Sequence, residues 1–158
     1  MKKIIFVWFL MGLILVSCSK DDDTATTTED FSKYHATWIL SSKKDADDNA
    51  IAISLCENGR NNIVLDANGN GSFTIGNTIY NGNGFVCGES TETYHYTIAN
   101  SKMEFKNLDE TYKMTYEIIS INETTLVVKK ISVTTNGTET TITNTITETY
   151  TKLNLSNI

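Results

Sequence analysis

From Phe31 onward apolar and polar residues alternate with a period of two, in short runs cut by turn residues, which is the spacing of half-buried β-strands. Thr37-Trp38-Ile39-Leu40 opens a first strand. Asn62 to Asp66 and Gly71 to Ile75 flank Ala67-Asn68-Gly69-Asn70, where the Asn-Gly pair predicts a tight hairpin. Between Gly76 and Thr91 the chain is rich in Gly and Asn and reads as a loop carrying Tyr80, Phe85 and Cys87. Glu92 to Ile98 then sets Tyr94, Tyr96 and Ile98 on one face, and Lys102 to Lys106 does the same with Met103 and Phe105. Tyr112, Met114, Tyr116 and Ile118 alternate along the next strand, after which the pattern switches face toward Ile121. Asn122-Glu123 turns the chain into Leu126 to Thr134, and Asn136-Gly137 is a second hairpin signal.

The last predicted strand runs from Thr138 to about Leu155. Ile142, Ile146 and Tyr150 share its core face, and Thr141, Thr143, Thr145, Thr147 and Thr149 line the other. Leu153 and Leu155 fall out of that register, which predicts a bulge near Thr151. A turn at Ala50–Cys56 is the nearest approach to a helix. Eight or nine antiparallel strands in succession, in residues 31–158, imply an all-β fold. An open sheet of that size exposes edges that invite aggregation, and closure removes them. The expected architecture is therefore an up-and-down β-barrel or half-barrel of about eight strands.

The front of the chain has a different pattern. Met1-Lys2-Lys3 precedes an uncharged apolar run, Ile4 to Val16, of 13 residues. That is short of the ~20 needed to cross a bilayer and has the layout of an export signal. Leu15-Val16-Ser17-Cys18 resembles the bacterial lipobox, which implies cleavage after residue 17 and a diacylglycerol on the Cys18 sulfur. Several acyl chains hold a protein to a membrane without a transmembrane helix. Residues 18–30 then read as a lipidated, disordered acidic tether, because they contain nothing able to form a core. Lys20-Asp21-Asp22 resembles the surface-export signal of Bacteroidota lipoproteins, with a plain solvated charge run as the alternative. Asp23-Thr24-Ala25 resembles the O-glycosylation motif of the same phylum. The expected location is the outer membrane, lipid-anchored, facing either the periplasm or the cell surface.

Charge and cysteines narrow the reading. Without residues 1–17 the chain holds 11 basic and 19 acidic residues, a balance of −8. With no basic cluster, nucleic acid and anionic membrane surfaces are excluded as partners. Proline is absent, and the abundant Thr and Asn suit strands and turns. Apart from Cys18 there are two cysteines, and in an oxidising compartment Cys56 and Cys87 are expected to form a disulfide.

Four further pieces stand together in the domain: Ala36-Thr37-Trp38, Cys56 to Ile63 (CENGRNNI), the Asp66 to Phe73 hairpin, and Tyr116 to Val128 (YEIISINETTLVV). On these the domain resembles the lipocalin-like lipoproteins of Bacteroidota. Lipocalins usually place Gly two residues before the first-strand Trp, where this chain has Ala36. They often pack a basic residue from the barrel's end over that Trp, and Lys152 is the candidate. The resemblance implies a barrel or half-barrel, a shape able to enclose an interior pocket, and implies no particular substrate.

Little in the chain suggests catalysis. His35 lies at the edge of the tether, and His95 falls on the strand face opposite Tyr94 and Tyr96. No nucleophile motif accompanies either. Asp66 to Gly71 partly imitates a calcium loop, but Asn77 stands where a bidentate Glu is required and the flanks are strands. Gly82 to Gly88 has no Lys and no following helix, so it is no phosphate cradle. Asp109-Glu110 reads as a solvated turn. No cofactor, metal site or enzymatic activity is expected. Tyr94, Tyr96, Phe105, Tyr112, Met114 and Tyr116 fall on successive strands, where they either line a ligand pocket or fill the barrel. Two functions stay open. One is an envelope lipoprotein taking a small apolar or amphipathic ligand. The other is a solid-cored module that docks an envelope protein or glycan through loops such as Gly76–Thr91. The oligomeric state is not legible.

Overall fold

A computed structural model describes residues 31–154. The export segment, Cys18, the tether and Leu155 lie outside the described residues. A 3-10 turn, Phe31–Tyr34, leads into β1 (Ala36–Lys44), β2 (Ala50–Ile51), β3 (Asn62–Leu65), β4 (Asn70–Tyr80) and β5 (Phe85–Ala99). Then follow β6 (Lys102–Lys106), β7 (Tyr112–Ile121), β8 (Thr125–Thr135), β9 (Thr138–Thr141) and β10 (Thr147–Lys152).

Every pairing is antiparallel between neighbours, in the order β1-β3-β4-β5-β6-β7-β8-β10, and β10 returns to β1. The sheet is thus a closed barrel of eight strands, with β2 and β9 as short additions to β1 and β8. Closure leaves few free edges, the hazard that an open sheet of this size would carry.

The alternation predicted from the sequence sets the inner face. Trp38 and Leu40, Ile63 and Leu65, Tyr94 and Tyr96, Met103 and Phe105, Leu126 and Val128, and Tyr150 are all buried. On β7 the inner face is Met114, Tyr116 and Ile118; the register slips between Ile118 and Ser120, the face switch expected before Ile121. The segment at residues 31–35 and the turns at 66–69, 100–101 and 122–124 gather at one end of the barrel. Buried Tyr34 packs into the core there, and the Trp38 indole donates to its carbonyl at 2.8 Å. The opposite end holds the turns at 81–84, 107–111 and 136–137.

Three local expectations are corrected. Gly76–Thr91 is not a loop but the outer part of the β4–β5 hairpin, paired continuously from Asn70↔His95 to Tyr80↔Phe85. Its glycines serve close approaches: a Cβ on Gly76 would stand 1.8 Å from the Cys56 carbonyl oxygen, and one on Gly88 2.1 Å from Ile79 Cδ1. The turn itself is only Asn81–Gly84.

The last strand is broken. β9 ends opposite Ser132 and β10 resumes opposite Lys129, so five residues without register partners on this side, 142–146, face two on β8, 130–131. Ile142 donates to the Ile131 carbonyl before the chain leaves the sheet, which leaves Ile142 half-buried and Ile146 exposed rather than in the core. No bulge occurs near Thr151; the irregularity lies on the partner strand, at Ser41 between Leu40 and Ser42.

Finally, Ala50–Cys56 splits into β2 and the start of a capped turn. Ser54 Oγ accepts from the Glu57 N–H at 3.2 Å, and Glu57 Oε2 accepts from the Ser54 N–H at 2.9 Å. This reciprocal cap presents Cys56 to Cys87, and the two form the expected disulfide.

Candidate functional site

The middle and closed end of the barrel are filled. Trp38, Phe105, Leu126 and Val128 are fully inaccessible, and Phe73 packs edge-on against Phe105 at 4.5 Å between centroids. Phe73 also stacks with Tyr116 at 5.9 Å and meets Tyr94 edge-on at 5.7 Å, which makes an aromatic floor across the barrel.

Above that floor is a cavity of about 240 Å³. Phe73, Ile75, Met114 and Tyr116 supply its apolar wall; Ser90, Glu92, Tyr94, Tyr112 and Lys130 add polar groups. Strand lengths explain its entrance. β5 pairs with β4 from Phe85 to His95, whereas β6 joins it only from His95 to Ala99. The side of β5 from Phe85 to Tyr94 that faces away from β4 therefore has no strand partner among the described residues. A depression of about 750 Å³ opens along that seam, between Thr91–Tyr94 and Asn107–Tyr112, and shares Glu92, Tyr94 and Tyr112 with the cavity.

Charge enters the barrel at this end. Lys43 and Glu57 form an ion pair at 2.7 Å, with only 13% and 23% of their side chains exposed. Burial raises Glu57, yet the Lys43 ammonium and Ser54 outweigh it and leave the carboxyl below its ordinary range. Glu148 has the opposite balance: burial holds its carboxyl above the ordinary range despite the Tyr150 hydroxyl, which donates to it at 2.9 Å. Lys130 Nζ lies 5.3 Å from the Tyr116 ring centroid, and burial pulls its pKa down. Tyr94 donates to Glu92, and burial together with that carboxylate raises the phenol.

Of the aromatic residues singled out from the sequence, Tyr94, Tyr112, Met114 and Tyr116 meet at the cavity. Phe105 is core, and Tyr96 turns its hydroxyl to the Asp66 carbonyl at 2.5 Å, toward the closed end. Phe73, Ile75, Ser90, Glu92 and Lys130 were not foreseen. Period two carried one step further would have found two of them, since Glu92 precedes Tyr94 by two residues and Lys130 follows Val128 by two. His95 is on the exposed face of β5. The Asp66 carboxylate is occupied by its own turn, accepting the N–H groups of Asn68 and Asn70 at 2.8 Å. Among the described residues no cluster of three His, Cys, Asp or Glu side chains is placed to hold a metal.

The sequence profile of a family described as a lipocalin-like domain matches residues 35–128. Among solved structures, the chain is similar to a lipocalin-like protein from Bacteroides uniformis, with 12% identity and a TM-score of 0.47, over 77% of this chain and 99% of that one. It is also similar to bovine odorant binding protein in complex with a selenium-containing odorant, at 16% identity and a TM-score of 0.43, over 80% of this chain and 78% of that one. No curated protein matches it.

Proposed function

Because this chain belongs to the lipocalin-like domain family, we propose that its barrel binds a small apolar or amphipathic molecule in the cavity above Phe73. The observation that carries this reading is the aromatic-floored space itself, open at the seam between β5 and the β6–β7 turn. Its 240 Å³ equals roughly eight water volumes. That is below the range of drug-sized pockets, so the ligand is a single ring or a short alkyl chain. Calorimetry with 1-octanol tests it. One saturable site is expected, and Ile75→Trp, which fills the cavity from a half-exposed position, abolishes binding without lowering the unfolding midpoint. An absence of binding by 1-octanol and by single-ring alcohols alike would sink the reading.

The protein is read as a binder, not a catalyst. The finer placement, an outer-membrane lipoprotein anchored through Cys18, is supported by the lipobox resemblance and the apolar run before it. The tether would join the barrel at Phe31, beside the filled end and away from the cavity.

A second reading has its own observation. The β4–β5 hairpin ends in an exposed apolar tip, with Tyr80 64% and Phe85 78% exposed and their rings 5.5 Å apart. Exposed patches of this kind mark docking surfaces. If the tip is the working site, Phe85→Ser removes partner cross-links on intact cells while octanol binding persists.

A further inference from the structure

We infer that the cavity is built for an amphipathic carboxylate whose head is received by Lys130 while its tail lies on Phe73, Ile75 and Met114. This rests on the cavity being a ligand site and specifies what enters it. Lys130 is the only cationic residue of the cavity wall. Among the described residues its ammonium makes no hydrogen bond and no ion pair; it lies over the face of Tyr116 and is attracted through space by the Glu148 carboxylate.

The carboxylates that might have neutralised it are engaged elsewhere. Glu57 holds Lys43 at 2.7 Å. Glu148 accepts the Tyr150 hydroxyl and attracts Lys130 only through space, without a direct ion pair. Glu92 accepts the Tyr94 hydroxyl on the seam side of the wall. A half-buried ammonium without a hydrogen-bonded carboxylate is costly unless something else compensates it. The ring of Tyr116 and the Glu148 charge supply part of that compensation, and an incoming carboxylate would supply the rest through a charge-assisted hydrogen bond. The hydroxyls of Ser90 and Tyr112 are further donors on the same wall. The remaining wall is hydrocarbon and aromatic, which favours a tail without polar groups.

The test compares three ligands of equal chain length, octanoate, 1-octanol and octylamine, by calorimetry on the purified protein. Octanoate is expected to bind about tenfold tighter than 1-octanol, the worth of one charged hydrogen bond. Lys130→Met should erase that preference, so that octanoate binds the variant no more tightly than 1-octanol binds the same variant, and Lys130→Arg should retain it. Equal affinity for octanoate and 1-octanol, a preference that survives Lys130→Met, or tightest binding of octylamine would overturn the assignment to Lys130 while leaving the cavity a ligand site. Failure of all three ligands, together with the single-ring alcohols, would remove the ligand site itself.

Discussion

Lys152 sits over Trp38: the two are register partners across β10 and β1, and the ammonium lies 5.8 Å from the indole ring. The indole N–H is satisfied from below by the Tyr34 carbonyl. Together these contacts tie the last strand of the barrel to the first and cap the filled end. Trp38→Ala is expected to lower stability by about 3–5 kcal/mol, the usual cost of emptying a buried aromatic site. Lys152→Ala should cost about 0.5–1 kcal/mol. Urea midpoints for the two single variants and the double variant test the coupling. Strictly additive effects would show that the ammonium contributes nothing through the ring.

The Cys56–Cys87 bond fastens the capped turn before β3 to the outer part of the β4–β5 hairpin, across a sequence separation of 31. In the chain-entropy account, loss of such a link costs about 3–4 kcal/mol. Reduction, or replacement of both cysteines by serine, should therefore lower the unfolding free energy by that amount, read as a lower urea midpoint. The barrel's far-UV spectrum should persist. An unchanged midpoint after complete reduction would mean that the denatured chain is already compact there.

The alternation of Tyr94 with Tyr96, of Met103 with Phe105, and of Met114 with Tyr116 made the inner face legible, because one-sided burial forces period two. The Asn-Gly turns were legible for the same local reason: Asn136 and Gly137 both take positive φ, at 50° and 79°. The outer hairpin was hidden because Gly76 and Gly88 look like loop glycines. Their small size in fact answers to Cys56 and Ile79, neighbours remote in the chain. Ile142 and Ile146 looked like core residues because a strand was assumed to continue, and only the slip opposite Ile131 interrupts it. The cavity was half legible. Its tyrosines follow the pattern, but Lys130 and Glu148 break the rule that inward positions are apolar, and such breaks are expected where function lies.

The proposed lipid anchor at Cys18 gives a clean prediction outside the barrel. With Cys18 replaced by alanine there is no thiol to receive acyl chains, and the single apolar run, Ile4–Val16, is too short for stable spanning. The Cys18→Ala form should leave the membrane fraction for the soluble one, with the barrel intact by urea midpoint. Continued sedimentation with membranes would reject Cys18 as the anchor.

Two interior glutamates should pull the pH profile in opposite directions. Glu57, paired with Lys43, has its carboxyl below its ordinary value of 4.5, after Lys43 and Ser54 outweigh its burial. The folded state thus binds that proton less readily than the unfolded chain. Its stabilisation is complete above the ordinary value and is lost as pH falls through the lowered one. Glu148, raised above 4.5 by burial, has the reverse sign. The folded state takes up that proton more readily, so its contribution is present in acid and is lost as pH rises through the raised value. Glu57→Gln should therefore destabilise by about 1–2 kcal/mol at neutral pH and flatten the acid limb. Glu148→Gln should be more stable than the parent near about pH 8 and indistinguishable from it near about pH 3. Urea midpoints across that range settle the matter. A constant offset for Glu148→Gln at both ends would mean that lost packing, not a buried charge, governs the site.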